Sequence, residues 1–172
     1  GRVALMQVRF TPTYQDQVLS GLDVRVRERG VVTVAADARP VREVDYHEED
    51  GRKYLAAIVG DRDIVLWRTD DAGTEFRAEV SVAPGQRVTH VRAGRNGVAV
   101  AATSQGRLYH WVFDEDVPRL TDVSPVSSEA ITALEFVIGG NSVVVGTAGG
   151  EVTSWFRAVL PSGSEAMLRA HV

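Results

Sequence analysis

The segment SVVVGTAGGEVTSW, from Ser142 to Trp155, matches two earlier segments of the same chain. The segment VAVAATSQGRLYHW ends at Trp111, and the segment YLAAIVGDRDIVLW ends at Trp67. The three tryptophans, which are all that the chain contains, are therefore spaced by 44 residues and again by 44. Each segment has an apolar run, a small polar turn and a short alternating run that reaches the tryptophan. A fixed period of this length indicates a repeated structural unit.

Each repeat is predicted to contain four β-strands. The compact apolar run is typical of a strand that is covered on both faces. The turns at 60–62, 104–106 and 148–150 contain glycine, which tolerates the positive φ of a tight hairpin. The other strands are predicted upstream of each pair and beyond the tryptophans, at Val44–Tyr46, Val88–Val91, Ile131–Phe136, Phe76–Val82 and Val117–Val123. Ser164–Arg169 is predicted either as a helical turn or as the last outer strand.

The repeat length decides the expected fold class. A period of about 40–45 residues that consists of strands is typical of β-propeller blades. We therefore expect an all-β, partial β-propeller of WD40-like type in a single domain, with about three four-stranded blades in the repeats 41–83, 84–127 and 128–172. Residues 1–40 are expected to form an incomplete N-terminal blade or entry segment. A β-sandwich with evenly spaced strands is the alternative, but it does not predict a tryptophan in register.

The number of blades implies an open structure. Three blades and a fragment do not close a ring, because propellers usually have about 4–8 blades. We therefore expect the chain to be a piece of a longer propeller. The open ends of such a piece expose apolar sheet faces, and exposed apolar patches bind partners. As an isolated piece the chain is expected to self-associate, as a two-fold dimer that buries the open ends.

Composition restricts the possible partners and sites. The chain has 172 residues and a net charge of −4, which disfavours nucleic acid as a partner. Cysteine is absent, so disulfides and cysteine-based zinc sites are excluded. No apolar run approaches the roughly 18 residues of a membrane span. The first residues also lack the charged head and apolar core of a signal peptide.

A search for chemistry finds no catalytic motif, so we expect no enzyme activity, no cofactor and no metal. The four histidines, which lack the spacing of metal ligands, are His47, His90, His110 and His171. His90 and His110 fall in strands of one repeat and are interpreted as packing residues. The acidic stretch 47–50 is interpreted as a solvated hairpin tip, because it lacks the ligand pattern of a calcium loop. Arg25, Arg27 and Arg29 share one strand face, which is interpreted as a solvated row or a guarded sheet edge, with a phosphate site as the alternative.

One segment resembles a known family. The stretch ITALEFVIGGNSVVVGTAGGEVTSWF, from Ile131 to Phe156, is similar to part of the large PstC-type permeases of bacterial phosphate ABC transporters. The resemblance implies a parent protein in the bacterial inner membrane and a propeller-like inserted domain on the periplasmic side. It also implies a role in phosphate import through other transporter subunits or the phosphate-binding protein. No catalytic motif is carried over from the family.

Two function hypotheses follow. The first is a soluble accessory or regulatory domain of a phosphate permease that acts through protein–protein contacts. The second is a free-standing propeller scaffold unrelated to transport. In both, the partner is expected to bind the turns on one side of the blades, because binding residues usually lie on loops held by a rigid scaffold. The predicted partner-binding residues are Asp61, Arg62, Ser104 and Gln105, beside the equivalent turn at 148–149.

Overall fold

The computed structural model describes residues 1–113, 117–137, 140 and 142–170. His171 lies outside these residues. The described chain consists of strands, turns and one 3-10 turn at Arg95–Gly97, and within it no helix is long and apolar enough to span a bilayer. The chain divides into two compact units, Gly1–Ala38 and Arg39–Val172, whereas the sequence predicted a single domain. The alternation of apolar and polar residues indicates strands, but it does not indicate which segments of the chain pack together into one unit.

The first unit is a long antiparallel ribbon of two strands, β1 (Arg2–Gln15) and β2 (Val18–Thr33). The sequence analysis expected an incomplete blade or an entry segment here. Instead β2 continues through Gly30, and a register irregularity between the Leu5 and Met6 pairs accommodates one extra residue. Arg25 and Arg27 lie opposite Arg9 and Gln7, so they share one polar face, whereas Arg29 falls at the irregularity.

The second unit contains three four-stranded antiparallel sheets in which each strand pairs with its neighbour in sequence. This confirms the all-β blade architecture. Blade 1 consists of β3 (Val41–Glu49), β4 (Arg52–Val59), β5 (Asp63–Thr69) and β6 (Glu75–Ser81). Blade 2 consists of β7 (Val88–Ala93), β8 (Val98–Thr103), β9 (Arg107–Val112) and β10 (Arg119–Pro125). Blade 3 consists of β11 (Ile131–Phe136), β12 (Ser142–Thr147), β13 (Val152–Val159) and β14 (Glu165–Arg169).

Strand boundaries differ from the sequence predictions in detail. The tryptophans lie within the third strand of each blade and do not end it, since β5 continues to Thr69 and β13 to Val159. The outer strand of blade 2 begins at Arg119 and not at Val117. The last segment is a strand, because Glu165–Arg169 pairs with β13 along its length.

Adjacent blades pack face to face through two apolar clusters. Between blades 1 and 2, Trp111 packs with residues such as Ile58 and Leu66. Between blades 2 and 3, Trp155 packs with residues such as Val100 and Leu108. These two tryptophans therefore pack between adjacent blades, whereas Trp67 is buried but belongs to neither cluster. Both faces of β4 are buried, as its compact apolar run predicted.

Candidate partner-binding face

Each of the three equivalent turns is hydrogen-bonded to a segment that connects two blades or to the strand that follows it. The amide of Val88 donates to the carbonyl of Asp61 at 2.8 Å, and the amide of Ser104 donates to the carbonyl of Arg87 at 2.9 Å. In blade 3 the amide of Ala148 donates to the carbonyl of Ala130 at 2.9 Å. We call the turns 60–62, 104–106 and 148–150, with the connecting segments 82–88 and 126–130, the turn face. Backbone hydrogen bonds hold this face in place, which suits a binding surface.

Asp61 is the most accessible charged group among the predicted partner residues. Its side chain is 74% exposed, and its carboxylate lies 3.3 Å from the guanidinium of Arg87 and 3.5 Å from that of Arg42. Exposed ion pairs of this kind contribute about 0–1 kcal/mol to stability. The carboxylate and the 58% exposed Arg87 side chain therefore remain available to a partner. Arg87, which directly precedes the first strand of blade 2, is not among the partner-binding residues predicted from the sequence.

The Arg62 side chain is partly used within the chain. It is half-buried, and its guanidinium donates to the carbonyl of Val82 at 2.9 Å. Within the described chain its Nε is buried and has no hydrogen-bond partner. The side chain therefore ties the turn to the segment that leaves blade 1. Sequence reasoning missed this because Val82 is 20 positions away from Arg62.

The turn of blade 2 also uses one of its polar side chains within the chain. The amide nitrogen of the Gln105 side chain donates to the carbonyl of Gly85 at 2.8 Å, although the residue is exposed. Ser104 is half-buried, and its backbone makes the bond to Arg87 described above. The structure therefore places Asp61, Ser104 and Gln105 on one face and assigns Arg62 to its support.

A second polar region lines the inner strands at the opposite end of the blades. It is an open cleft of about 570 Å³ whose walls include Asp45, Glu49, Arg95 and Phe136. Glu49 belongs to the stretch interpreted as a solvated hairpin tip. Its carboxylate instead accepts from Arg95 at 2.7 Å and from the amide of Asn96 at 3.3 Å, so it joins blade 1 to blade 2. The exposed Asp50 fits the original interpretation.

Other acidic groups of the inner strands are also committed to contacts between blades. Asp45 accepts from the amide of Ala93 at 2.8 Å, and burial raises the pKa of its carboxyl against the lowering effects of that bond and of Arg92. Arg92 pairs with Glu43 and, at 3.1 Å, with Glu135. Each acidic side chain in this chain of contacts has a cationic or amide partner from another blade. The cleft is thus better explained by blade packing than by ligand binding.

No group of three or more candidate metal ligands is found among the described residues. His90 and His110 lie in β7 and β9, with β8 between them, and each pairs with a different residue of that strand. His110 is buried, and its Nδ1 contacts the hydroxyl of Thr121 in the adjacent outer strand. Its role is therefore packing and hydrogen bonding, as the sequence interpretation had it.

Comparison with known proteins gives a fold and no family. No family model and no curated protein matches the chain. The structure is similar to the crystal structure of the Cps50 (Swd1) β-propeller domain of Myceliophteria thermophila, with a TM-score of 0.61 and 14% sequence identity. The match covers 86% of this chain and 52% of that one, so the chain spans about half the length of its structural neighbour. The chain has the fold of a partial, WD40-like β-propeller.

Proposed function

We propose that the chain is a protein-interaction domain that serves a bacterial phosphate ABC-transporter permease as an accessory or regulatory domain. Propellers commonly mediate protein–protein contacts through loops that a rigid scaffold presents. The turn face is the observation that supports the interaction role. It exposes two side chains of opposite charge, Asp61 in a turn and Arg87 in the connecting segment, and backbone hydrogen bonds hold both parts in place.

The link to phosphate import is supported by the resemblance of residues 131–156, a range that includes β11, β12 and the first part of β13. In this proposal the parent protein lies in the bacterial inner membrane and the domain lies on the periplasmic side. Its partner is then the phosphate-binding protein or another transporter subunit. A free-standing interaction scaffold unrelated to transport is the second candidate, because the same turn face serves it equally.

The test measures binding of the 172-residue chain to the phosphate-binding protein of the same transporter by biolayer interferometry. We expect Asp61→Lys to weaken binding at least tenfold, because it reverses a charge of the turn face whose side chain is 74% exposed. The matched control is Glu48→Lys, which reverses an exposed charge at the opposite end of blade 1 and should leave the dissociation constant within twofold.

A charge-swapped variant separates recognition from folding. Asp61→Arg combined with Arg87→Asp keeps an ion pair at this position but reverses the charge pattern that a partner meets. Loss of binding with unchanged thermal stability supports recognition by the turn face. Unchanged binding in both variants contradicts the assignment of this face. Absence of binding to the phosphate-binding protein and to every transporter subunit contradicts the permease assignment and favours the free-standing scaffold.

A further inference from the structure

One face of blade 3 carries apolar and small side chains that the described chain leaves uncovered. Along β12 and β13, alternate residues such as Val143, Val145 and Trp155 are buried against blade 2. The residues between them therefore point to the opposite face. We call this the outer face of blade 3, and it consists of Val144, Gly146, Val152, Ser154, Phe156 and Leu168.

The 44-residue repeat shows what these positions do in the other blades. Five positions of the outer face have equivalents 44 residues earlier, in blade 2, and all five are buried at the contact with blade 3 or beside it. These blade 2 residues are Val100, Ala102, Leu108, His110 and Val112. In blade 1 the equivalents are Ala56, Ile58, Ile64, Leu66 and Arg68, and these are buried too. In blade 3, by contrast, Val152 is 71% exposed and Phe156 is 37% exposed. The outer face thus continues an established series of sheet-to-sheet interfaces.

We propose that the outer face of blade 3 binds the same face of a second copy of the chain across a two-fold axis. The face that would close a ring, on the other side of blade 1, holds Leu55, Val65 and Trp67, which are already buried. A head-to-tail contact between copies is therefore disfavoured, and a like-with-like contact remains. This inference does not depend on the proposed function.

The sizes of the side chains on the outer face suit contact with the same face of a second copy. Phe156 and Leu168 are paired across β13 and β14 and form a raised row. The neighbouring rows contain the small residues Ser154 and Gly146. A two-fold axis near the Val144–Ser154 pair sets the Phe156–Leu168 row of one copy over the Gly146–Val152 row of the other, so that apolar side chains of the two sheets meet. Glu135, the charged residue beside Val144, lies at the inner edge and is paired with Arg92.

The size of the face sets the expected affinity. Four strands spaced about 4.8 Å apart and about 20 Å long give a footprint of roughly 400 Å². Stable complexes bury about 800 Å² on each partner, so the contact is at the weak end of the range. We therefore expect association in the micromolar range.

Sedimentation velocity of the 172-residue chain between about 5 and 200 μM tests the proposal. We expect a monomer–dimer equilibrium that Val152→Glu and Leu168→Glu each weaken at least tenfold, because each places a charge on the outer face. Both side chains are exposed, so the variants should retain the thermal stability of the parent chain. The matched control is Val24→Glu on the ribbon, a 48% exposed position, which should leave the dimer unchanged.

Cross-linking tests the two-fold geometry separately. The chain has no cysteine, so Ser154→Cys introduces a single thiol near the centre of the outer face. Packed sheets lie about 10 Å apart, which a short bis-maleimide spans, and we expect a covalent dimer from this variant. Val24→Cys should give none. Three results would overturn the proposal. The chain could be monomeric at all concentrations, the dimer could be lost only in Val24→Glu, or the Ser154→Cys dimer could fail to cross-link.

Discussion

Gly106 and Gly150 occupy the same position in successive repeats but have different surroundings. Both have positive φ, +67° and +83°. A Cβ on Gly106 would lie 2.1 Å from the carbonyl oxygen of Ser127, whereas a Cβ on Gly150 would have no neighbour within 4 Å. Gly106 is therefore required both by its positive φ and by the close approach of the Ser127 backbone. Gly150 is required by its positive φ alone.

We expect Gly150→Ala to lower the free energy of unfolding by about 1–2 kcal/mol, the cost of a left-handed alanine. Gly106→Ala should cost at least about 2 kcal/mol more, because the segment at Ser127 must also move. Urea denaturation monitored by tryptophan fluorescence measures both variants. Equal costs for the two variants would show that the approach of Ser127 is not important.

His110 is expected to make stability depend on pH. Burial, helped by the nearby Arg157 and Arg119 and opposed by Asp122, lowers the pKa of His110 from its usual 6.5 to about 4. Below pH 6.5 the unfolded chain takes up a proton at this residue, whereas the folded chain does so only near pH 4. The stabilisation is therefore fully present above pH 6.5 and is lost as the pH falls toward 4.

The full effect of His110 corresponds to roughly 3 kcal/mol. We expect the parent chain to lose about 2–3 kcal/mol more stability than His110→Gln between pH 7 and pH 4. Glutamine keeps a hydrogen-bonding side chain next to Thr121 but does not titrate. Denaturation curves at several pH values for both chains measure this difference, and parallel pH profiles would contradict it.

Carboxylates of one blade accept hydrogen bonds from strand amides of the next blade at two different radii. Between blades 1 and 2 the link is at the inner strands, where Asp45 accepts from the amide of Ala93. Between blades 2 and 3 it is at the outer strands, where Asp122 accepts from the amide of Met167 at 2.8 Å and from the hydroxyl of Ser124 at 2.5 Å. Each link satisfies a backbone amide in an edge strand of the next blade.

Asp122→Ala is expected to lower the free energy of unfolding by about 1–3 kcal/mol, because it leaves the buried Met167 amide without its acceptor. Asp122→Asn should recover part of this loss, since its carbonyl oxygen accepts the same bond. The control is Glu151→Ala, which removes the exposed ion pair with Arg169 and should cost less than about 1 kcal/mol. A cost for Asp122→Ala no larger than that of the control would show that the link is not stabilising.

At the scale of the whole molecule, the two units differ in how much apolar surface they cover. In the ribbon, Met6, Val8 and Phe10 lie on one face and are 45–61% exposed. In the blades, β4, β5, β8 and β9 consist almost entirely of buried residues. Two-stranded ribbons are marginally stable by themselves, whereas stacked sheets share a core.

We therefore expect hydrogen exchange to separate the units. The paired amides of residues 6–26 should exchange within seconds to minutes, because little apolar contact opposes their opening. The amides of β8 and β9 should exchange slowest, since blade 2 is covered on both sides. Exchange followed by mass spectrometry measures this order. Equal protection in the ribbon and in blade 2 would contradict it.

Several features of this protein follow from the sequence alone. The 44-residue spacing of the tryptophans, the turns at 60–62 and 104–106 and the alternating runs predicted three four-stranded blades. These signals are local: a period of two residues sets which side chains share a strand face, and a turn glycine sets where a strand reverses. Periodicity could not decide the strand start at Arg119, directly after Pro118, or the continuation of β2 through Gly30. Proline and glycine indicate that a strand can be interrupted, but they do not determine whether it ends there.

The tertiary structure decided which polar residues are available and which are used internally. Asp61 and Arg62 are neighbours in one turn, yet only the carboxylate is displayed, because the guanidinium meets the carbonyl of Val82. The acceptors Asp45 and Asp122 have their amide partners 48 and 45 positions away. Such contacts depend on how one blade is set against the next. A strand pattern specifies each sheet, but the packing of sheets determines what each side chain meets.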